Sequence, residues 1–360
     1  MWPDRRVCEL FGIELPIIQA PMAGSVGSDL VVAVSEAGGL GSLPCAMLSA
    51  EQIRTEVAII RQRTSRPYNL NFFCHRPPRP DPARESAWKR RLESYYLELG
   101  LDPGAPTPAA TRVPFDEAAC DLVEELAPPV VSFHFGLPDE ALLRRVKATG
   151  ARVVSSATTV EEARWLEDRG CDAVIAQGVE AGGHRGMFLT DNLAAQVGTM
   201  ALVPQVADAV EVPVIAAGGI ADGRGIAAAF ALGASAVQVG TAYLFCPEAL
   251  TTAVHRAALR SARDDRTALT NLLTGRPARG IVNRLMTELG PVSDLPPEFP
   301  LASAAVTPLR VKAEAAQSGD FSALWSGQAA ALAVERPAGE LTRALAESAL
   351  ARLRAVQPGQ

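Results

Sequence analysis

A histidine in a glycine-rich loop is the strongest candidate for chemistry in this sequence. His184 lies in Gly182-Gly-His-Arg-Gly186, seven residues beyond Gln177, which ends a short apolar run. Packing gives little reason for an imidazole among glycines, and a side chain that titrates near neutral pH suits a general base or an anion-binding group. The alternative is a structural histidine that only satisfies its own loop. The position beyond a strand end favours the catalytic interpretation.

Two further glycine loops follow apolar runs later in the chain. They are Gly218-Gly219 and Gly240-Thr241. Glycine lets backbone N–H groups approach phosphate oxygens, and the Thr241 hydroxyl can donate a hydrogen bond. These glycines could serve tight turns alone. However, phosphate is often bound after strands seven and eight of a (β/α)₈ barrel, and the two loops occupy those places in the pattern below.

Amides end two of the predicted strands. Asn71 and Gln177 could hydrogen-bond a heteroaromatic ring with mixed donors and acceptors, such as the pyrimidine edge of a flavin, although strand-end capping is the simpler role. Met22 could lie beneath such a ring, although methionine is more often core. His134 is a weaker catalytic candidate on a predicted strand. Since no metal-ligand spacing, Ser-His-Asp set or carboxylate pair stands out, a redox cofactor is the natural carrier of the chemistry.

The elements that must position these residues alternate between β-rich runs and amphipathic helices. Alternation of this kind predicts a parallel sheet, and eight repeats favour closure into a (β/α)₈ TIM barrel over an open sheet. The predicted strands are 16–22, 40–43, 68–73, 130–135, 152–156, 173–177, 212–217 and 236–239.

Two segments do not fit this repeat. Residues 74–129 are a Pro-rich excursion with a charged helix, and the chain after residue 247 predicts helices separated by Pro-rich turns. We therefore expect an α/β fold with a barrel over 1–247 that includes the excursion. An accessory, mainly helical substrate region would span 248–325, and a C-terminal helical segment over 326–360 would pack back on the barrel. Long loops within compact proteins are usually functional.

Composition argues against nucleic-acid-binding, secreted and membrane proteins. The net charge is -6, and no basic stripe with interleaved aromatics predicts nucleic-acid binding. The six cysteines include no C-x-x-C pair, which favours free thiols in a reducing compartment, and a signal peptide is not predicted, so we expect a cytoplasmic protein. The uncharged stretch 225–247 predicts a buried helix and strand rather than a membrane span. His75 and His255 are predicted to be loop and surface residues.

Together these motifs resemble the nitronate monooxygenases, formerly called 2-nitropropane dioxygenases, and most of all their class I. The matching segments extend over most of the chain, and the Ala-Gly-Gly-His-Arg-Gly motif at 181–186 is the most specific of them. They begin at Gln19, Glu36, Asn69, Val131, Gln177, Ala217, Gln238 and Trp325.

The resemblance implies non-covalent FMN, and oxidation of alkyl nitronates by O₂ to a carbonyl compound and nitrite. It assigns His184 as the catalytic histidine, which would bind the nitronate and remove the α proton of neutral nitroalkanes. From composition and spacing we expect no metal, nucleic-acid or membrane partner, and the sequence leaves the oligomeric state open. The cofactor-binding residues would be Met22, Asn71, Gln177, Gly182, Gly218, Gly219, Gln238, Gly240 and Thr241.

One departure from the class I pattern bears on the substrate. Phe299 stands where a tyrosine facing the substrate is expected, and the lysine often found just before the Pro308-Leu-Arg310 triplet is absent. A substrate carboxylate would have to be held differently, or not at all.

Two other functions compete with this interpretation. One is an FMN-dependent NAD(P)H reductase of quinones or enoyl thioesters, which would share the barrel and the phosphate loops. The other is a flavin-binding or regulatory barrel without turnover. No dinucleotide fingerprint follows any predicted strand. Nitrite release from a nitronate, set beside anaerobic NADH oxidation, separates all three.

Overall fold

A barrel of parallel strands forms the centre of the molecule. The computed structural model describes residues 1–109 and 112–356, and within them eight parallel strands form one sheet in the order β1-β9-β8-β6-β5-β4-β3-β2. An isolated parallel bridge between Ile18 and Leu40 joins the two ends of that sheet. The strands of the described chain are β1 Ile17–Gln19, β2 Gly41–Pro44, β3 Tyr68–Phe73, β4 Val130–His134, β5 Arg152–Ala157, β6 Ala173–Gln177, β7 Gly183–His184, β8 Val214–Ala217, β9 Ala236–Val239, β10 Thr267–Thr270 and β11 Ala278–Ile281.

Helices connect successive barrel strands and surround them. The α-helices of the described chain are α1 Arg6–Phe11, α2 Ser28–Glu36, α3 Ala50–Arg63, α4 Pro82–Arg91, α5 Glu93–Glu98, α6 Glu117–Leu126, α7 Glu140–Ala148, α8 Val160–Asp168, α9 Thr199–Ala207, α10 Gly223–Ala231, α11 Ala253–Arg260, α12 Arg284–Leu289, α13 Ala302–Ala315 and α14 Ala338–Val356. Short 3₁₀ helices lie at Leu193–Ala195, Thr241–Phe245 and Ala330–Leu332.

The predicted (β/α)₈ barrel is confirmed, and every predicted barrel strand is present. Strands β3, β6 and β9 have the predicted bounds, whereas β1 and β8 are shorter than predicted. Local capping explains where several helices begin. The Ser49 side chain accepts from Gln52 N at the start of α3, and Thr159 accepts from Glu162 N at the start of α8.

An apolar cluster fills the amino end of the barrel, whereas buried polar side chains such as Asn69, Ser42 and Ser132 lie closer to the carboxyl end. Ile18, Val154 and Ile215 point inward and form one cluster with residues of α1, including Val7 and Phe11. Helix α1 therefore plugs the end of the barrel at which the strands begin. A larger cluster fills the space between the strands and the surrounding helices. Only the carboxyl ends of the strands remain for a site, as in other barrels of this type.

The two segments outside the barrel repeat pack against each other. Trp88 and Tyr96 of the excursion lie in one apolar cluster with Leu309 and Phe321 from the later accessory segment. The Trp88 indole donates to the Ala302 carbonyl at 3.2 Å. Helix α14 returns to the barrel, where Leu341 and Leu345 and their neighbours join the outer core cluster.

A second, antiparallel sheet was not predicted from the sequence. Strands β10, β11 and β7 pair in that order, so two residues of the histidine loop become the edge of a hairpin from the accessory segment. The prediction of a mainly helical region after residue 247 therefore missed the strands β10 and β11. Within the described chain no helix is long and apolar enough to cross a membrane.

Candidate active site

A cavity of about 300 Å³ opens at the carboxyl ends of the barrel strands. It extends from the glycine loops after β8 and β9 to Phe73 at the end of β3 and to the accessory residues Trp325 and Arg310. All the residues predicted for the site line this one cavity: Met22, Asn71, Gln177, Gly182, His184, Gly218, Gly219, Gln238, Gly240 and Thr241. Their individual roles in catalysis or cofactor binding remain predictions.

Hydrogen bonds fix the backbone of the histidine loop. His184 pairs with Ala278 in the antiparallel ladder. The His184 carbonyl also accepts from Gln177 Nε2 at 3.1 Å and faces His134 Nε2 at 3.2 Å. The other end of the Gln177 amide accepts from Gly186 N at 2.8 Å. The Gln177 side chain therefore bonds two residues of the histidine loop and holds His184 near the carboxyl end of β6.

Arg185 forms a buried clamp beneath the same loop. Its side chain is 0% exposed, and its guanidinium donates to the carbonyls of Gln177 and Gly178, both at 2.7 Å, and to Gln196 Oε1 at 2.8 Å. Burial lowers the pKa of Arg185 to about 10, so it stays cationic at neutral pH. The arginine of the motif therefore has a positioning role and faces away from the cavity.

The His184 imidazole lies in an aromatic enclosure. Its ring centroid is 5.2 Å from that of Phe299, 5.5 Å from Trp325 and 6.0 Å from Phe135. Its Nε2 is 3.0 Å from Thr274 Oγ1, in the loop between β10 and β11. The imidazole is thus held from both the barrel side and the accessory side.

The electrostatics of this enclosure keep His184 neutral. Burial is the largest cause that lowers its pKa well below the ordinary value of 6.5, followed by the positive charges of Arg112 and Arg276. Burial and the neighbouring Arg310 in turn lower the pKa of Arg112 to about 10, which leaves that guanidinium charged. The site therefore combines a neutral imidazole with a positive field that would attract an anion.

The glycine loops leave backbone donors free beside the cavity. Neither Gly219 nor Gly240 donates its N–H to another group in the described residues. A Cβ on Gly240 would lie 3.5 Å from Ala20 Cβ and 3.7 Å from Met22 Sδ, both of them lining residues. Gly219 has φ +68°, which disfavours other residues. Two unpaired amides beside a cradle without side chains fit a phosphate group.

Amide groups lie further along the cavity. The Nδ2 group of Asn71 donates to Ser132, to its Oγ at 3.0 Å and to its carbonyl at 3.3 Å. In the described chain, Asn71 Oδ1 accepts no hydrogen bond. Gln177 keeps one N–H, because its amide oxygen and other N–H bind its own loop. One acceptor and one donor are thus available to a heteroaromatic ring.

Several site residues had no signal in the sequence analysis. Thr274 and Arg276 lie in the accessory loop between β10 and β11, and Arg112 lies in the excursion after β3. Neither segment carries a recognisable motif, and only folding brings these residues near His184. The prediction for two other histidines was wrong in part: His75 lies in a loop, as predicted, but it is buried, and His255 is a buried residue of α11. His75 is 4% exposed against the Phe299 ring, and His255 is 8% exposed, with its Nε2 3.0 Å from the Trp325 carbonyl.

In the described residues, neither the thiols nor the carboxylates form a second site for metal binding or nucleophilic catalysis. Within the described residues, no group of three or more His, Cys, Asp or Glu side chains is arranged to hold a metal ion. All six cysteines are free thiols, and five of them are buried. Burial raises the pKa of Cys8 to about 11, so this thiol is not activated as a nucleophile.

Comparison of the sequence with known families gives a match along almost the whole chain. The profile described as "Nitronate monooxygenase" matches residues 4–348. A nitronate monooxygenase of Pseudomonas aeruginosa is 46% identical over 348 residues, which cover 95% of this chain and 98% of the relative. A second, from Paraburkholderia phytofirmans, is 43% identical and covers 95% of this chain and 94% of its own length.

Solved structures agree with the sequence comparison. The nitroalkane oxidase from Streptomyces ansochromogenes superimposes with a TM-score of 0.89 at 38% identity, covering 98% of this chain and 100% of that one. FabK from Thermotoga maritima superimposes with a TM-score of 0.74 at 28% identity, covering 99% of both chains. The enoyl reductase domain of MlnA from Bacillus amyloliquefaciens shares the fold alone, at 13% identity.

Proposed function

The chain belongs to the nitronate monooxygenase family of oxidoreductases, and we propose that it oxidises alkyl nitronates with O₂ through non-covalently bound FMN, giving a carbonyl compound and nitrite. The observation that carries this proposal is the placement of a neutral imidazole, His184, on the same cavity as two glycine loops with free backbone donors. Family membership supplies the reaction class, and the cavity supplies the residues.

The residues present fit FMN. The N–H groups of Gly219 and Gly240 and the Thr241 hydroxyl would hold the phosphate, although that hydroxyl also accepts from Gly327 N at 2.9 Å. Asn71 and Gln177 would meet the ring, with Met22 and Gly182 beside it. When bound, FMN would supply the redox chemistry that oxidation of the nitronate requires.

The protein's own residues bind and orient the substrate. The positive field of Arg112 and Arg276 attracts the negatively charged nitronate, while Phe299, Phe135 and Trp325 exclude water around the imidazole. With a neutral nitroalkane, His184 takes the α proton, and the electron pair of the C–H bond moves into the new C=N bond of the nitronate. Because its pKa is depressed, the imidazole is unprotonated and ready to act at neutral pH.

An aerobic nitrite assay with several alkyl nitronates, run beside an anaerobic NADH assay, tests the proposal. We expect nitrite and a carbonyl product without added nicotinamide, and a yellow protein that releases FMN rather than FAD on denaturation. Rapid anaerobic NADH oxidation with a quinone or enoyl thioester, without nitrite from any nitronate, would instead indicate a reductase. A colourless protein that FMN cannot reconstitute would contradict the cofactor.

A further inference from the structure

The hydrogen bond between His184 and Thr274 crosses from the barrel to the accessory hairpin. Thr274 is 3% exposed, and its Oγ1 has two neighbours in the described residues: His184 Nε2 at 3.0 Å and the Arg276 carbonyl oxygen at 3.3 Å. The carbonyl oxygen can only accept. The hydroxyl has a single hydrogen, so the direction of one bond decides the other.

This geometry fixes the direction of both hydrogen bonds, from His184 to Thr274 and from Thr274 to the Arg276 carbonyl. If the Thr274 hydroxyl donates to Arg276 O, its lone pairs face His184 Nε2, which must then carry the imidazole hydrogen. The opposite arrangement would leave the Arg276 carbonyl without its hydroxyl donor. Because the imidazole is neutral, it has one N–H, and placing that hydrogen on Nε2 leaves a lone pair on Nδ1. Nδ1 makes no hydrogen bond within the described chain, although His184 lines the cavity.

We propose that Thr274 is a positioning residue that fixes the Nε2–H tautomer of His184, so that Nδ1 is the atom that accepts the substrate proton. This inference rests on the proposed function. In the step, the α C–H bond of a nitroalkane breaks and its electrons form the C=N bond. The proton moves to Nδ1, and the negative charge spreads over the two nitro oxygens. Nε2–H remains bonded to Thr274 Oγ1, which steadies the imidazolium that forms.

Spectroscopy of the holoenzyme tests the tautomer without turnover. The protein is labelled with ¹⁵N-histidine, and the His184 signals are identified by their loss in His184→Asn. We expect a protonated, pyrrole-type nitrogen at Nε2 and an unprotonated, pyridine-type nitrogen at Nδ1. Thr274→Val, which replaces the hydroxyl by a methyl of similar size, should give a mixture of tautomers, whereas Thr274→Ser should keep the wild-type pattern. An Nδ1–H tautomer in the wild type overturns the proposal.

Kinetics with paired substrates gives a second readout. For a neutral nitroalkane, Thr274→Val should lower kcat/KM by roughly tenfold, the scale of one net hydrogen bond, and Thr274→Ser should restore most of it. The preformed nitronate of the same compound needs no proton removed, so its kcat/KM should change by no more than about twofold. Equal losses on the two forms would overturn the positioning role.

The two readouts separate this inference from the proposed function. If neither form of any nitro compound is turned over, the proposed function fails, while the ¹⁵N pattern still decides whether Thr274 fixes the tautomer. If Thr274→Val does not fold, the wild-type and Thr274→Ser spectra still test the Nε2–H assignment.

Discussion

At the scale of single residues, His184→Asn separates proton transfer from binding. Asparagine keeps a hydrogen-bonding group but cannot act as a base. The variant should lose about 10²–10⁴-fold in rate on neutral nitroalkanes, the usual contribution of a positioned general base, and lose less on the preformed nitronates. The measurement is kcat/KM for both forms of one compound, together with the flavin-to-protein ratio, which should not change.

The pH profile gives the same residue a second test. Burial and the adjacent arginines lower the pKa of His184 well below 6.5, so the base stays unprotonated down to acidic pH. For a neutral nitroalkane, activity due to this group should be constant across pH 6–7 and fall only as pH drops through the lowered pKa. His134→Gln is a matched control, because it removes a neighbouring imidazole with no assigned proton transfer.

In the kinetic test, small and equal losses of kcat/KM in His184→Asn on both substrate forms would mean that His184 has a structural role only.

The cavity residues that could be predicted share one property: each lies in the second half of a barrel strand or in the loop that follows it. Gln177 and Gly240 follow apolar runs whose length and composition are local signals, and barrel geometry then brings strand ends together. Thr274 and Arg112 carry no such signal. They reach His184 through contacts distant in sequence, so only the packed accessory segment reveals them.

At the scale of elements, the loop after β9 offers a test of the cofactor cradle. Gly240 has φ −110°, so another residue there is not forced into the left-handed region. Its Cβ would lie among Ala20 and Met22 at the cavity wall, and the longer side chain of Gly240→Leu would occupy space that the cofactor needs. The purified variant should contain little flavin, as measured by absorbance against protein concentration.

A control must separate loss of flavin binding from loss of folding in Gly240→Leu. Gly150→Leu is a comparison variant, because a Cβ at Gly150 meets nothing within 4 Å and the residue does not line the cavity. Its φ of +87° adds strain, so it controls for lost stability at unchanged flavin content. A fully yellow Gly240→Leu would exclude this loop from the cofactor site.

The antiparallel sheet shows why other elements could not be predicted. Strand β7 is only two residues long and contains Gly183, so it has neither the length nor the side chains of a strand signal. Its partner β11 lies more than 90 residues later, and the pairing joins Ala278 to His184. Local periodicity cannot report a pairing whose hydrogen bonds come from the other part of the fold.

At the scale of the whole molecule, the barrel supplies the floor of the cavity and the accessory segment its far wall. The excursion and the later accessory helices pack together through Trp88 and Tyr96, with the Tyr96 hydroxyl donating to the Ala305 carbonyl at 2.6 Å. Phe299, Thr274 and Trp325 of the same accessory segment face His184. Loosening this cluster should therefore disturb the environment of the imidazole without touching the glycine loops.

All four histidines have lowered pKa values in the folded protein, which predicts that the free energy of unfolding decreases at acidic pH. Burial lowers the pKa of His75 to about 4 and of His134 to about 3, and it also lowers the values of His184 and His255. The unfolded chain, with ordinary histidines near pKa 6.5, binds more protons than the folded chain below that pH. The free energy of unfolding is therefore fully present above pH 6.5 and falls as pH decreases towards the folded pKa values.

The size of the effect follows from the number of histidines involved. Each one can contribute up to about 1.4 kcal/mol per pH unit, and carboxylates add little until pH approaches their own unfolded values near 4. Urea unfolding at pH 7.5, 6.5 and 5.5 should show a steep loss of stability below 6.5. His75→Leu removes one proton-uptake site that is 4% exposed, so its slope should be about a quarter smaller. A stability that is flat between pH 6.5 and 5.5 would mean that water or bound anions already hold these imidazoles in their charged form.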